Sequence, residues 1–226
     1  VRNRWKSWHR ETEKYGRDYW LAIGRTLILC AVSVIITIIL LLLAMYPITV
    51  MNRKLGKYMQ VVCMIPYALQ GVILSISVIS IYAGVDGPLS NRMIMLFGAY
   101  SILVLPYIYQ GLRNSLNAID AKTLIQAAEV LGCGRFRAYV QVILPNIFSG
   151  ILVSSLLAES IVFGDFVLAN NIAGNNYENV SVYLNENMYT SSGLASAIVV
   201  VIFAVVFLVT GLMLNLQKKD SKEGRD

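Results

Sequence analysis

The chain has 226 residues, 57% of them hydrophobic and only 14% charged, with a net charge of +6 and a mean hydropathy of +0.62. Ordinary soluble domains carry about 25% charged residues. This composition therefore excludes a soluble globular domain, a disordered tail and a nucleic-acid-binding module, even at a pI near 9.2. The positive excess is read as membrane topology. Cys30, Cys63 and Cys133 share no short spacing, and two of them lie in apolar runs. They read as buried thiols, with no disulfide framework and no zinc site. The lone His9 sits in a polar segment and reads as a solvated or interfacial side chain.

The first 19 residues are polar and form a segment of their own, 1–19. The apolar stretches that follow are long enough to cross a bilayer, whose core of about 30 Å needs roughly 20 helical residues. Five spans are expected, near 20–51, 59–83, 93–113, 146–169 and 192–216. The fourth carries Glu159 and Asp165, both embedded in apolar sequence. The hydrocarbon core requires an internally bonded backbone, and no short alternating segments point to a strand barrel. The fold class expected is thus an all-α integral membrane protein, a bundle of five transmembrane helices over 20–217 with a charged tail at 218–226.

Orientation follows from Lys and Arg. The loops after the first and third spans and the tail hold eleven of them, against one, Arg92, in the loops 84–92 and 170–192. The positive-inside rule makes the eleven-charge side cytoplasmic. The opposite loops carry Asp86, Glu178 and Glu186. Seven basic residues in 1–25 then fall on the outer side, which is costly. Either an upstream span precedes this chain, so that 1–19 is an outer loop or interfacial helix, or the segment is exported with Glu11, Glu13 and Asp18 offsetting it. The absence of an initiator Met favours the upstream span. No secretory signal pattern is present.

The most polar interior stretch is the loop 114–145. Asp120 is placed to cap a helix that starts at Ala121. Leu124, Ala127, Ala128 and Leu131 fall at i, i+3, i+4 and i+7, one apolar stripe whose two alanines allow close approach. Gly132 stands where a glycine ends a helix. A second, basic helical stretch over 135–142 runs into Leu144-Pro145, and the proline separates the loop from the fourth span.

Gln126-Ala127-Ala128, three residues, Gly132, nine residues, then Val142-Ile143-Leu144-Pro145 resembles the EAA loop of binding-protein-dependent ABC importer permeases. The spacing matches throughout. The departures are Gln126 for the family Glu and Val142 for Ile, and the first removes a charge the family uses for polar contact. The resemblance extends over about 20–217. Ala22-Ile23-Gly24-Arg25-Thr26-Leu27 looks like the start of the family's first core span. Met64-Ile65-Pro66-Tyr67-Ala68-Leu69 looks like its proline-bearing second span, and Phe163-Gly164-Asp165-Phe166 like the Gly-Glu-Phe of its fourth.

The resemblance implies a transport subunit that is not itself an enzyme and needs no cofactor. It implies an ATP-binding subunit, a second permease subunit of identical or related sequence, and an extracytoplasmic solute-binding protein as partners, within the lipid bilayer of the inner membrane. It places ATPase coupling on Leu124, Gln126, Ala127, Ala128, Leu131, Gly132, Leu144 and Pro145. The chain itself has no phosphate-cradling Gly-rich loop, so ATP hydrolysis is expected on the partner. Glu159, Asp165 and Pro66 are candidate pathway residues, because an intramembrane acid is costly and Pro66 with Gly71 can free backbone carbonyls. Each also has a packing role open to it, with Asp165 a cap near the outer interface. The run 164–170 looks most like permeases of the polyamine, aminoethylphosphonate and ferric-iron group. A stand-alone secondary transporter or channel is the alternative, and it would show internal repeat symmetry.

Overall fold

The structure is a computed structural model. It describes residues 2–50, 55–69, 71–82, 84, 87, 90–174, 179–188, 196, 199–208, 210, 211 and 215, with side chains described outside 2–19 and 186–188. Its helices are α1 (Arg2–Val50), α2 (Leu55–Ala68), α3 (Val72–Tyr82), α4 (Arg92–Ala118), α5 (Ala121–Val130), α6 (Arg135–Ala138), α7 (Leu144–Gly164) and α8 (Val180–Met188). A π-helical turn, Tyr139–Ile143, joins α6 to α7, and a second, Ala169–Ala173, follows α7. Near the C-terminus lies a further apolar helix, Val199–Leu208. The expected all-α character holds among the described residues.

Among the described residues, three helices are long and apolar enough to cross a membrane: Trp20–Val50, Arg92–Ala118 and Arg135–Gly164. Two of the five expected spans differ from expectation or fall outside it. The second is broken into α2 and α3, bent by 101° at a break where Gly71 takes φ +71°. Only Gly adopts that backbone without strain. Pro66, inside α2, has its carbonyl taken by the Leu69 N–H at 3.1 Å, a tight last turn that ends the helix. Much of the fifth, 192–216, lies outside the described residues. The basic segment 2–19 continues into α1 without interruption.

Alpha-1 shows how a bilayer sorts a helix. Its buried side carries Thr26, Cys30, Ser33 and Thr37 among Leu29, Val34, Leu41 and Met45, while Ile28, Ile35, Ile36, Ile39, Leu40 and Leu43 point outward. Between Ile28 and Leu43 the outer face is aliphatic, as lipid solvation favours, and the inner face supplies hydroxyls that bond between helices. Thr37 donates to the Ser33 carbonyl at 2.8 Å and lies 3.3 Å from the Ser101 carbonyl of α4. Thr26 accepts the Val180 N–H at 3.0 Å, fastening the start of α8.

The bundle is organised around α4. Its buried residues include Leu96, Ala99, Tyr100, Leu103, Val104, Ile108, Tyr109 and Leu112, a repeating 3–4 spacing that gives a continuous face for α1, α2 and α7. The most extensive pairing is α4 with α7. It is close because the crossing is made of small residues: a Cβ on Gly111 would overlap Ser154, and one on Gly150 would overlap Ser115. Both serines turn their hydroxyls back onto their own helices, Ser115 to the Gly111 carbonyl at 2.9 Å and Ser154 to that of Gly150.

The crossing yields a direct test. Gly111→Ala should lower the thermal unfolding midpoint in detergent, by the equivalent of roughly 1–3 kcal/mol for overpacking. Gly24→Ala, at a helical position with nothing within 4 Å of the new Cβ, should leave the midpoint level or raise it. Equal losses in the two would contradict this packing.

Candidate functional site

The loop between α4 and α7 is built by local rules. Asp120 occupies the N-cap position of α5 with φ 43°, but its carboxylate accepts the Thr123 hydroxyl at 2.7 Å and caps no backbone N–H. At the other end Gly132 takes φ +81°. The Cys133 N–H bonds the Ala128 carbonyl and the Gly132 N–H the Glu129 carbonyl, each at 2.9 Å. That pair of bonds is a Schellman closure with glycine at its left-handed position. Arg135 then ion-pairs with Glu129 and holds α6 against α5.

The expected apolar stripe divides in two. Ala128 is buried, with Ala121 and Ile125 in the row i, i+4, i+7, and Leu124 is half-buried beside them. This row packs α5 onto the π turn and α1. Ala127 and Gln126 are exposed, and Leu131 is 87% exposed just past the helix end. Leu131 still bonds the Ala127 carbonyl through its N–H, but at 100° per residue it falls about 60° round from Ala128, on the side of Ala127 and past the last packed turn. Outside with Ala127 and Leu131 stand Val130 at 88% and Phe136 at 66% exposure, neither of which periodicity singled out.

The junction to the fourth span also differs from expectation. Pro145 does not separate loop from span; the helix continues through it over Arg135–Gly164. Proline has no N–H to give to the carbonyl four residues back, and its ring crowds that carbonyl. The preceding π turn opens the ladder by one residue, the Leu144 N–H reaching back to the Tyr139 carbonyl. Pro145 then sits in the first turn of α7, where a missing donor costs nothing. Leu144 is half-buried and Pro145 exposed. The π turn is anchored on α1: the Tyr139 hydroxyl donates to the Leu42 carbonyl at 3.1 Å, and Tyr46 meets Phe136 and Tyr139 edge-on at centroid distances of 5.6 and 5.3 Å. Nothing in the periodicity identified this aromatic cluster; its signal was the i, i+3 pair of rings beside the loop's Arg residues.

The two acids have different surroundings. Asp165 ends α7, and its Oδ2 accepts the Tyr100 hydroxyl at 3.0 Å and the Leu168 N–H at 2.9 Å. It thereby caps the turn that leads into Ala169–Ala173 and ties it to α4. Asn179 donates to the Asp165 carbonyl at 3.3 Å and caps α8 through the Val182 N–H at 2.8 Å. Glu159 is half-buried and makes no hydrogen bond or ion pair through its carboxylate among the described residues. It lines a cavity of about 210 Å³ between α1, α7 and the Val199–Leu208 helix, with Cys30, Ser160, Phe163 and Thr210. Pro66 and Asp165 do not line this cavity, so the three candidate pathway residues are not brought together there.

The family model for the binding-protein-dependent transport system inner membrane component matches residues 38–221. The chain belongs to that family. Among relatives of this permease, the trehalose transport system permease protein SugA of Mycobacterium tuberculosis is 30% identical over 221 residues, covering 88% of this chain and 70% of that one. The diacetylchitobiose uptake system permease protein DasC of Streptomyces coelicolor is 27% identical over 149 residues, 66% of this chain and 52% of that one. The molybdenum transport system permease protein ModB of Escherichia coli is 34% identical over 80 residues, 34% of each chain. The permease thus spans between about a third and seven-tenths of the length of these relatives. It is a multi-pass inner-membrane component of an ABC transporter.

The contrast between the acids is measurable. Asp165→Ala strands the buried Tyr100 hydroxyl and should cost about 1–3 kcal/mol of stability, seen as a lower unfolding midpoint. Glu159→Gln removes no bond and should stay within roughly 0.5 kcal/mol. A Glu159 variant as damaging as the Asp165 one would refute the assignment of the structural role to Asp165 alone.

Proposed function

We propose that this permease forms, with a second permease subunit, the transmembrane path of an ABC importer, and that α5 and α6 couple it to a separate ATP-binding subunit. The observation that carries the reading is the exposed apolar surface of Ala127, Val130 and Leu131, on a loop rich in charge and outside the three helices long and apolar enough to cross a membrane, with Phe136 exposed in the first turn of the third. Lipid does not explain such a face at a polar membrane end; a protein partner does. Leu124, Ala128 and Gly132 support it from beneath, and Gln126 stands on its edge. Leu144 and Pro145 join it to α7. Displacement of α5 by the ATPase is passed to α7 through the Glu129–Arg135 pair and the packing of Ala121, Ile125 and Ala128 on the π turn.

In this reading the chain contributes five spans, α2 and α3 making one broken span, with 114–145 and the tail 218–226 cytoplasmic. Residues 1–19 precede the permease domain 20–217 on the outer side. An extracytoplasmic binding protein delivers the solute. Glu159, lining its cavity without a partner among the described residues, is the pathway candidate with the stronger support. The relatives are named for molybdenum, diacetylchitobiose and trehalose. None of these names is of the polyamine, aminoethylphosphonate or iron kind that the run 164–170 resembles, so the cargo is proposed only as a small solute captured by the binding protein.

Leu131→Glu and Ala127→Glu should abolish co-purification of the ATP-binding subunit and ATP-driven uptake while membrane levels stay near normal, since a charge is stranded at the contact. Ala128→Glu should instead reduce the amount of folded permease, because Ala128 faces its own chain. Full association and uptake by Leu131→Glu would remove the docking assignment.

A further inference from the structure

A second cavity is larger than the one at Glu159. It lies at the loop end of the bundle and measures about 760 Å³. Its walls come from the ends of α1 and α4, the start of α2 and the inner side of α5. Four cationic residues line it, Lys57, Arg113, Lys122 and Arg135, against two anionic ones, Asp120 and Glu129. Glu129 pairs with Arg135, while Asp120 accepts the neutral Thr123 hydroxyl and keeps its charge, so three cations face one acid. Lys57, Arg113 and Lys122 make no hydrogen bond or ion pair among the described residues. Arg113 is half-buried and lines the cavity, and its guanidinium donors have no acceptor among the described residues. The Tyr109 hydroxyl, nearby, is already given to the Gly56 carbonyl at 3.3 Å.

We infer that this cavity binds a phosphate ester, held by Arg113, Lys57 and Lys122. Three cations opposed in the lining by a single acid, Asp120, leave one concave site with a net positive charge that calls for an acceptor with several oxygens, and a phosphate group is that acceptor. The volume is that of an organic ligand pocket and far exceeds a lone inorganic ion. The phosphate therefore carries an organic group, which fits against the apolar lining of Met45, Ile48 and Leu116. The shared chemistry has two sources: the headgroup of an anionic phospholipid, which basic pockets at the ends of membrane helices attract, or a soluble phosphate ester. Because α5 supplies one wall, the bound group bridges the docking element to the membrane helices. Binding needs no transport step, so it stands or falls separately from the coupling proposal.

The test titrates the full-length permease in neutral detergent with dihexanoyl phosphatidylglycerol, dihexanoyl phosphatidylcholine and glycerol 3-phosphate, reading dissociation constants from thermal shifts. Phosphatidylglycerol should bind at least fivefold tighter than phosphatidylcholine. Lys57→Gln and Arg113→Gln should each weaken it about fivefold, the effect of one charge near a membrane surface, and Arg113→Lys should recover most of the loss. Glycerol 3-phosphate binding with the same charge dependence would identify a soluble ester as the ligand; charge-dependent binding of the lipid alone would identify a headgroup. Should Arg113→Gln fail to fold, the Lys57→Gln/Lys122→Gln pair, both at exposed positions, carries the same test. Equal binding of the two lipids, or affinity unchanged in that pair, overturns the site.

Discussion

A proline in the path of a continuous helix removes a backbone donor, and its ring crowds the carbonyl four residues back. In this permease that problem arises at Pro145, and the π turn Tyr139–Ile143 resolves it without ending the helix. The consequence reaches both ends of the molecule. A single helical rod runs from the charged residues Arg135 and Arg137 to Gly164, where Asp165 caps the next turn. The proposed docking face sits at one end of the rod and the cavity of Glu159 near the other. Had the proline broken the helix, as its bare sequence context implies, motion at α5 would be lost in a flexible joint.

The rod is stiff because its surroundings are. Tyr46, Phe136 and Tyr139 clasp its start onto α1, and Gly111, Ser115, Gly150 and Ser154 let its middle lie close on α4. In lipid there is no hydrophobic drive to bring helices together, so close packing and hydroxyl bonds carry the association. One buried hydroxyl, that of Ser33, has no partner among the described residues. Its neighbours Thr26 and Thr37 both bond across to other elements, which shows how few polar contacts fix the position of α1.

Much of this was legible in the sequence, for physical reasons that differ by element. Spans one and three were readable because apolar runs bounded by charge leave a helix no other place to go. Gly132 was readable because a left-handed closure needs glycine. The EAA-like spacing revealed the family before any geometry did. What escaped were features set by register and not composition. Ala128 and Ala127 are adjacent in sequence, yet 100° of rotation sends one into the fold and the other outward. Leu131 sits on the Ala127 side of the stripe at the open end of α5, where no described helix packs over it. Pro145 read as a boundary because a π turn leaves no mark on a hydropathy pattern. The break between α2 and α3 was half visible: Pro66 and Gly71 marked a weak point, but not that the span bends there. The basic cavity was invisible because Lys57, Arg113 and Lys122 meet only after four helices assemble.

The central claim is that docking surface and membrane span move as one body. Spin labels at Arg137 and Val153, both exposed, lie 16 residues apart on the helical rod, a separation of about 24 Å at 1.5 Å per residue. Pulsed electron-spin distance measurements on the permease with its ATP-binding subunit, with and without bound nucleotide, address the claim directly. The account predicts the same narrow distance distribution in both states. A nucleotide-dependent shift of several ångströms, or a broad distribution in either state, would place a hinge at the π turn and contradict it.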